Sequence, residues 1–199
     1  QSNFKRVLFG LESGDNEVLK KCNKGIVQKD VINAYKLFAK TKIKIFSHLI
    51  IGLPGETKKT VLETAGLIKK LQKIKYVHNY QASLLTVFPG TQIYELSKKA
   101  GLVDDDYWLT DKPTPIFTAE NTYEELLRLQ DTLMNHISPI RAFTTIAGFK
   151  AQFSLIPYHI KYILSDKKNT KNFFFTLAKF LLSIKTYEFL KKKYHMFTK

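Results

Sequence analysis

A single cysteine, Cys22, stands in 199 residues. One thiol excludes an internal disulfide framework and any multi-cysteine metal site built from this chain alone. It fits a reducing, cytoplasmic setting. No run of about twenty apolar residues occurs, so no segment reads as a membrane-spanning helix. The opening QSNFKRVLFG has neither the long apolar stretch nor the processing site of a secretory signal. Acids are also scarce: 17 Asp and Glu face 32 Lys and Arg, a net charge of +15. After residue 131 there are 12 cations and only two acids, Asp166 and Glu188, so two thirds of the excess charge lies in the last third of the chain. Such a tail suits nucleic acid, an acidic membrane surface or another domain. A lysine-rich soluble surface is the alternative.

What is present is enough for a core. The chain is 44% apolar and 13% aromatic, which argues for a folded domain with an appendage and against disorder. The stretch RVLFGL (6–11) is a short apolar run ending in glycine, as a buried parallel strand does. Asp15 is placed to cap a helix through Cys22, with Gly25 to end it. A helix over 28–41 would bury Val31, Ile32, Tyr35 and Phe38. KIFSHLIIGL (44–53) reads as a second strand, followed by the turn PGET and a helix capped by Thr57 that buries Val61, Leu62, Ala65, Ile68 and Leu71. A third strand falls near Tyr80–Val87, and a helix opened by FPGT (88–91) should stop at Gly101. The turns GLESGD and GLPGET thus repeat one βα unit about forty residues apart. Repeated strand, turn and helix imply a parallel sheet or barrel.

From Asp104, DDDYWLTDKPTP reads as an irregular connection. Asn121 is placed to cap a helix through Ile137 that buries Leu126, Leu127, Leu133 and Ile137, and Pro139 breaks it. Two or three helices should follow. One of them, NFFFTLAKFLLSIKTYEFLKKKYHMF, is interrupted by Lys179 and is therefore amphipathic. The organisation expected is 1–103 for the βα region, 104–120 for the connection and 121–199 for the basic helical end.

In parallel α/β folds ligands meet the carboxyl ends of the strands. Three loops qualify: Glu12, Ser13 and Gly14 after the first strand, Gly52 through Thr57 after the second, and Ser83 with Phe88 through Thr91 around the third. Glu12 and Ser13 can bond sugar hydroxyls or an amine. Gly52 lets a flat ligand approach the backbone. Each loop also has a plain reading as turn chemistry. His48 lies in a strand and reads as packed, and Asp104–Asp106 lack calcium-loop spacing. No Gly-rich phosphate loop, Ser-His-Asp set or zinc spacing is seen. No catalytic residue and no metal ligand is assigned.

FGLESGDNEVLKKCNKG, HLIIGLPGET and SLLTVFPGTQIYELSKKAGL, in this order, resemble the C-terminal half of a radical S-adenosylmethionine domain. More narrowly, they resemble the group in which a cobalamin-binding domain precedes the barrel, as in anaerobic magnesium-protoporphyrin ester cyclase-like enzymes. The resemblance covers roughly residues 5–120. It implies an α/β fold: the C-terminal half of a partial TIM-type barrel with three βα units, followed by a helical region. It also implies S-adenosylmethionine contacts at Glu12 and Ser13 for the ribose and methionine portions. Ile50, Ile51 and Gly52 would lie against the adenine, and Ser83, Leu85 and Thr86 against the nucleoside.

The family's Cys-x-x-x-Cys-x-x-Cys motif is absent here, so ligands of a [4Fe–4S] cluster would lie outside this chain, as would any cobalamin domain. The expected function is therefore a fragment of a radical S-adenosylmethionine enzyme that contributes adenosine-side contacts and part of the substrate cavity. By itself it would be inactive. Its expected partners are the cluster-binding and cobalamin-binding regions of a parent chain. An alternative enzyme class is a methylthiotransferase acting on transfer RNA, although those enzymes usually end in a β-rich RNA-binding domain and this end is helical, which makes nucleic acid a weaker partner. A non-enzymatic alternative is a basic α/β module on membrane or nucleic acid. Phe173, Phe174, Phe175, Phe180 and Leu181 beside Lys179, Lys185 and Lys191–Lys193 would suit an interfacial helix, hence a peripheral position at the membrane. Ordinary core packing of that helix is the competing reading.

Overall fold

The structure, a computed structural model, describes residues 3–165 and 167–181. Lys185 and Lys191–Lys193 of the expected interfacial helix lie outside the described residues, as do the side chains of Lys179, Phe180 and Leu181. The chain divides into two compact units, Gln1–Met134 and Asn135–Lys199.

The first unit is built on a parallel sheet of order β1-β2-β3, with β1 Arg6–Glu12, β2 Lys44–Ile51 and β3 Val77–Leu84. Helices α1 (Asn16–Lys21), α2 (Gln28–Ala39), α3 (Lys58–Ile74) and α4 (Gln92–Lys99) follow in βα succession. This is the α/β arrangement of part of a TIM-type barrel, and helices continue the chain after it. Asp15 accepts from the Val18 amide at 2.8 Å, as its capping position predicts. The left-handed turn after α1 falls at Asn23 (φ 51), two residues before Gly25. Asparagine tolerates that conformation, so glycine is not needed to end the helix.

β2 alternates strictly between half-buried and buried residues. Ile45, Ser47, Leu49 and Ile51 face the helices and are at most 1% exposed, while Phe46, His48 and Ile50 look out on the other face. The apolar run therefore marks a sheet covered on one side among the described residues, with an open second face. α3 packs through Val61, Ala65, Ile68 and Leu71, but Leu62 is turned out at 40% exposure. Leu62 follows Val61 by about 100° of helical rotation, which carries it off the apolar stripe.

β3 begins and ends three residues earlier than its sequence suggests. Leu85 still donates its amide to the Ile51 carbonyl of β2 at 2.8 Å, but from its carbonyl through Val87 the chain pairs with an antiparallel return. Phe117 donates its amide to the Leu85 carbonyl at 2.9 Å, Val87 donates to Pro115 at 2.9 Å, and Thr86 bridges Ile116. Val87, Val103 and Phe117 share a core cluster with Val18, Leu53 and Tyr94, so the connection after Asp104 is anchored to the first unit.

α5 (Tyr123–Ile137) starts beyond Asn121. Its cap is Thr122, whose Oγ1 accepts from the Glu125 amide at 3.3 Å while Glu125 Oε2 accepts from the Thr122 amide at 2.8 Å, a reciprocal capping box. Asn121 instead donates its side-chain amide to the Glu56 carbonyl at 3.4 Å. Leu126 and Leu133 are buried as expected, but the buried residue beside them is Leu129, and Leu127 is exposed.

In the second unit Pro139 opens α6 (Pro139–Thr144), followed by α7 (Ile146–Gln152), α8 (Ile156–Leu164) and α9 (Lys167–Leu181). Proline breaks one helix and starts the next because its missing N–H would be unpaired there in any case. Gln152 ties this unit together. Its Nε2 donates to the carbonyls of Asn135 and Ser138, and its Oε1 lies 3.0 Å from Nε2 of the fully buried His159.

Candidate functional site

Three adjacent strand ends carry one side chain each onto the open face. Glu12 ends β1, Ile50 lies near the end of β2, and Ser83, paired with Ile50 in register, lies near the end of β3. Glu12 and Ile50 are half-buried and Ser83 is exposed. Ile50 and Ser83 are level in register, while Glu12, beyond the shift in β1, is level with Leu49, and neighbouring strands lie about 4.8 Å apart.

Glu12 is held with care. The pairing shifts between Gly10 and Glu12, and Glu12 has φ 57. A non-glycine residue adopts that backbone only where its surroundings impose it. Its Oε1 accepts from Lys24 Nζ at 2.9 Å. Both groups lie over Gly10, where a Cβ would meet Glu12 Oε1 at 2.5 Å and Lys24 Nζ at 3.2 Å. Gly10 therefore leaves the space in which the carboxylate sits.

Ser13, by contrast, is fully buried. Its Oγ lies 3.3 Å from Thr64 Oγ1 on α3 and accepts from the Asp15 amide at 3.2 Å. It shapes the loop from beneath. Ile51 (1% exposed) and Leu85 (8% exposed) also point into the core. Thr86 is half-buried, with its hydroxyl donating to the Leu84 carbonyl at 3.4 Å. Of the eight residues singled out from the sequence, the structure gathers Glu12, Ile50 and Ser83 on the open face. Ser13 and Ile51 lie behind it, and Leu85 is buried in the cluster of Val18, Leu53 and Phe117, against which Ile50 itself packs.

Gly52 has φ +92, and a Cβ there would strike Leu126 Cδ2 at 2.8 Å. The close approach that this glycine permits is made by α5, where a flat ligand was expected. Its amide donates to Glu56 Oε2 at 2.6 Å. Glu56 is 3% exposed. Burial pushes its carboxyl up to about 7, against the pull of the Gly52 and Leu53 amides. Gly55 donates its amide to Glu120 Oε2 at 2.6 Å. The turn GLPGET is thus locked by its own glutamate and by the returning segment.

Two contributors escaped the sequence. Lys24 gives no signal, since its link to Glu12 arises only once α1 folds back over β1. Glu56 was visible as a turn residue but not as the acceptor for Gly52. On the same open face, nearer the amino ends of the strands, Arg6, Leu8, Phe46, His48, Asn79 and Gln81 line a hollow of about 400 Å³. The Arg6 guanidinium lies 6.0 Å from the Phe46 ring centroid.

Cofactor chemistry can be tested against these residues. Cys22 is half-buried, and burial together with Glu56, Glu12 and Glu120 pushes its thiol up to about 11. One thiol is a single ligand, where a [4Fe–4S] cluster is held by several cysteines. Among the described residues no group of three or more His, Cys, Asp or Glu is placed to hold a metal. These residues do not fit an iron–sulfur cluster. What these strand ends offer in its place is the Glu12 carboxylate and the Ser83 hydroxyl, with Ile50 between them packed in part on the cluster of Val18 and Leu85.

Comparison with known proteins finds relatives for parts of the chain. The Radical SAM superfamily matches residues 1–68. An uncharacterised protein of Methanocaldococcus jannaschii is 32% identical over 131 residues, 66% of this chain and 34% of that protein. An uncharacterised methyltransferase of Pyrococcus horikoshii is 36% identical over 89 residues, 45% of this chain and 18% of its own length. A tRNA-2-methylthio-N(6)-dimethylallyladenosine synthase of Clostridium novyi is 33% identical over 66 residues, 32% of this chain and 15% of the enzyme. The chain thus spans about a third or less of each of these relatives. The match over residues 1–68 takes in β1, β2 and the turns that follow them, and shows that this segment is similar to the Radical SAM superfamily.

Proposed function

We propose that this chain supplies the adenosyl-side contacts of a radical S-adenosylmethionine enzyme, with the cluster ligands provided by residues outside it. The observation that carries the reading is the placing of Glu12, Ile50 and Ser83 at the carboxyl ends of consecutive parallel strands. When bound with a reduced [4Fe–4S] cluster, S-adenosylmethionine supplies hydrogen-abstraction chemistry. The chain's own work is binding and orientation. Glu12, fixed by Lys24, accepts from the ribose hydroxyls. Ile50 supports the base, and Ser83 offers a hydroxyl at the far strand. The hollow between Arg6 and Gln81 forms part of the substrate side. Cobalamin dependence rests on the sequence resemblance alone.

The test is calorimetric titration of the 199-residue chain with S-adenosylmethionine and with adenosine. Weak binding of both is expected. Glu12→Gln should cost about 1.5–3 kcal/mol, the value of a hydrogen bond to a charged group, and should weaken both ligands alike. Unchanged affinity in Glu12→Gln, or no nucleoside binding by the wild-type chain, would sink the reading.

A second reading, modification of transfer RNA, is favoured by the relative from Clostridium novyi. It is separated from the first by substrate class only, since both use the same adenosyl contacts.

A further inference from the structure

The second unit presents an apolar strip with a cationic rim. Residues 135–181 carry seven Lys and Arg against one acid, Asp166. Across α6 and α9 the Phe143 ring meets Phe173 at 5.3 Å, and Phe173 meets Phe174 at 5.9 Å. Phe174 and Leu164 then line a hollow of about 520 Å³ that also includes Lys167 and Lys171. Leu164 is 70% exposed, Phe174 is 59% exposed, and Ile160, one turn before Leu164 on α8, is 43% exposed. These side chains are contiguous. They are not the scattered single apolar residues that every surface carries.

The chemistry of the strip selects its occupant. Phe174, Leu164 and Ile160 offer no hydrogen-bonding group, so the strip gains by leaving water and not by reading a polar edge. Of the three, Phe174 alone offers a ring on which a nucleic acid base can stack, and Leu164 and Ile160 give a base nothing. The lysines beside them favour an anionic surface, with aliphatic stems that can lie along apolar matter while the ammonium groups stay wet. Among the described residues no helix is long and apolar enough to cross a membrane. Apolar insertion beside cations is the pairing that stable interfacial binding requires.

We propose that this strip is a docking face for an anionic lipid surface, with Leu164 and Phe174 entering the acyl boundary while Lys167 and Lys171 meet the headgroups. The proposal does not depend on the adenosyl reading of the first unit.

The experiment is co-sedimentation of the 199-residue chain with vesicles of phosphatidylcholine alone and of phosphatidylcholine with phosphatidylserine. The wild-type chain should sediment with the anionic vesicles and partly resist added salt. The double variant Leu164→Asn, Phe174→Ser should partition about tenfold less, with its circular dichroism unchanged. Lys167→Gln with Lys171→Gln should lose the preference for phosphatidylserine while keeping the salt-resistant part. A variant Phe174→Trp, which keeps the apolar face intact, should show bluer emission on vesicles, over the Trp108 background. Equal sedimentation of wild type and the Leu164, Phe174 variant overturns the proposal, as does failure of the wild-type chain to sediment. Loss of affinity for transfer RNA, and not for vesicles, in that same variant would assign the strip to RNA instead.

Discussion

Replacing Glu56 by glutamine should change the pH dependence of stability more than stability itself. Unfolded, this carboxyl releases its proton near pH 4.5. Folded, it does so only near 7. Between those values the unfolded chain has given up a proton that the folded chain still holds. Its contribution is therefore full below pH 4.5, declines as the pH rises, and is lost once the folded carboxyl also ionises. A difference of about 2.5 pK units corresponds to about 3 kcal/mol. Glutamine keeps an oxygen for the Gly52 amide but cannot ionise. The stability of Glu56→Gln relative to wild type should therefore rise by about 3 kcal/mol between pH 4.5 and about pH 8. Any fixed cost of the amide cancels in that comparison. Urea denaturation followed by Trp108 reads the first unit, because this only tryptophan packs on its core and stacks on Phe88 at 5.8 Å. Parallel pH profiles for the two proteins would refute the reasoning and mean that Glu56 is solvated or charged in the folded state.

Two further outcomes follow from the same physics. Gly52→Ala should destabilise the first unit by about 2–4 kcal/mol, since it adds a left-handed backbone penalty to overpacking against Leu126. In Leu126→Ala, urea denaturation should show the packing part of that cost vanish and the backbone part persist. His159 titrates near 6.5 when unfolded, and burial holds it down to about 4 when folded. The unfolded chain therefore takes up a proton first, and the second unit should lose about 3 kcal/mol as the pH falls from 6.5 to 4. The loss should be absent in His159→Gln when helix content is followed by circular dichroism.

The strands and their order of appearance were legible because apolar runs ending in glycine have few other uses. RVLFGL and KIFSHLII became β1 and β2 almost residue for residue. The end of β3 was not legible. SLLTVF is uniformly strand-like, but after the Leu85 amide its pairing passes from β2 to Pro115, Ile116 and Phe117, some thirty residues on. The candidate site was legible at the level of loops and less so at the level of side chains. A strand end fixes which residues are near a ligand, but a single extra residue at a shifted pairing decides which of two neighbours faces it. Glu12 and Ser13, adjacent in sequence, point to opposite sides, and the shift between Gly10 and Glu12 decides which of them is which. Lys24 was invisible, and Leu126 was legible as a buried helix residue but not as the side chain packed over Gly52, because both contacts arise only from helices folding back onto turns.

The bond from the Gly55 amide to Glu120 joins residues 65 apart in sequence. Together with the Leu85–Phe117 pairing, it means that the rim of the sheet is finished by a segment made long after its strands. Contacts of such span close slowly, because chain entropy must be lost before they form. During synthesis, the carboxyl ends of β2 and β3 therefore wait for residues 115–122 to emerge. The mouth of the sheet is finished late, and a chain stopped before Pro115 would own all three strands without the clasp that shapes it.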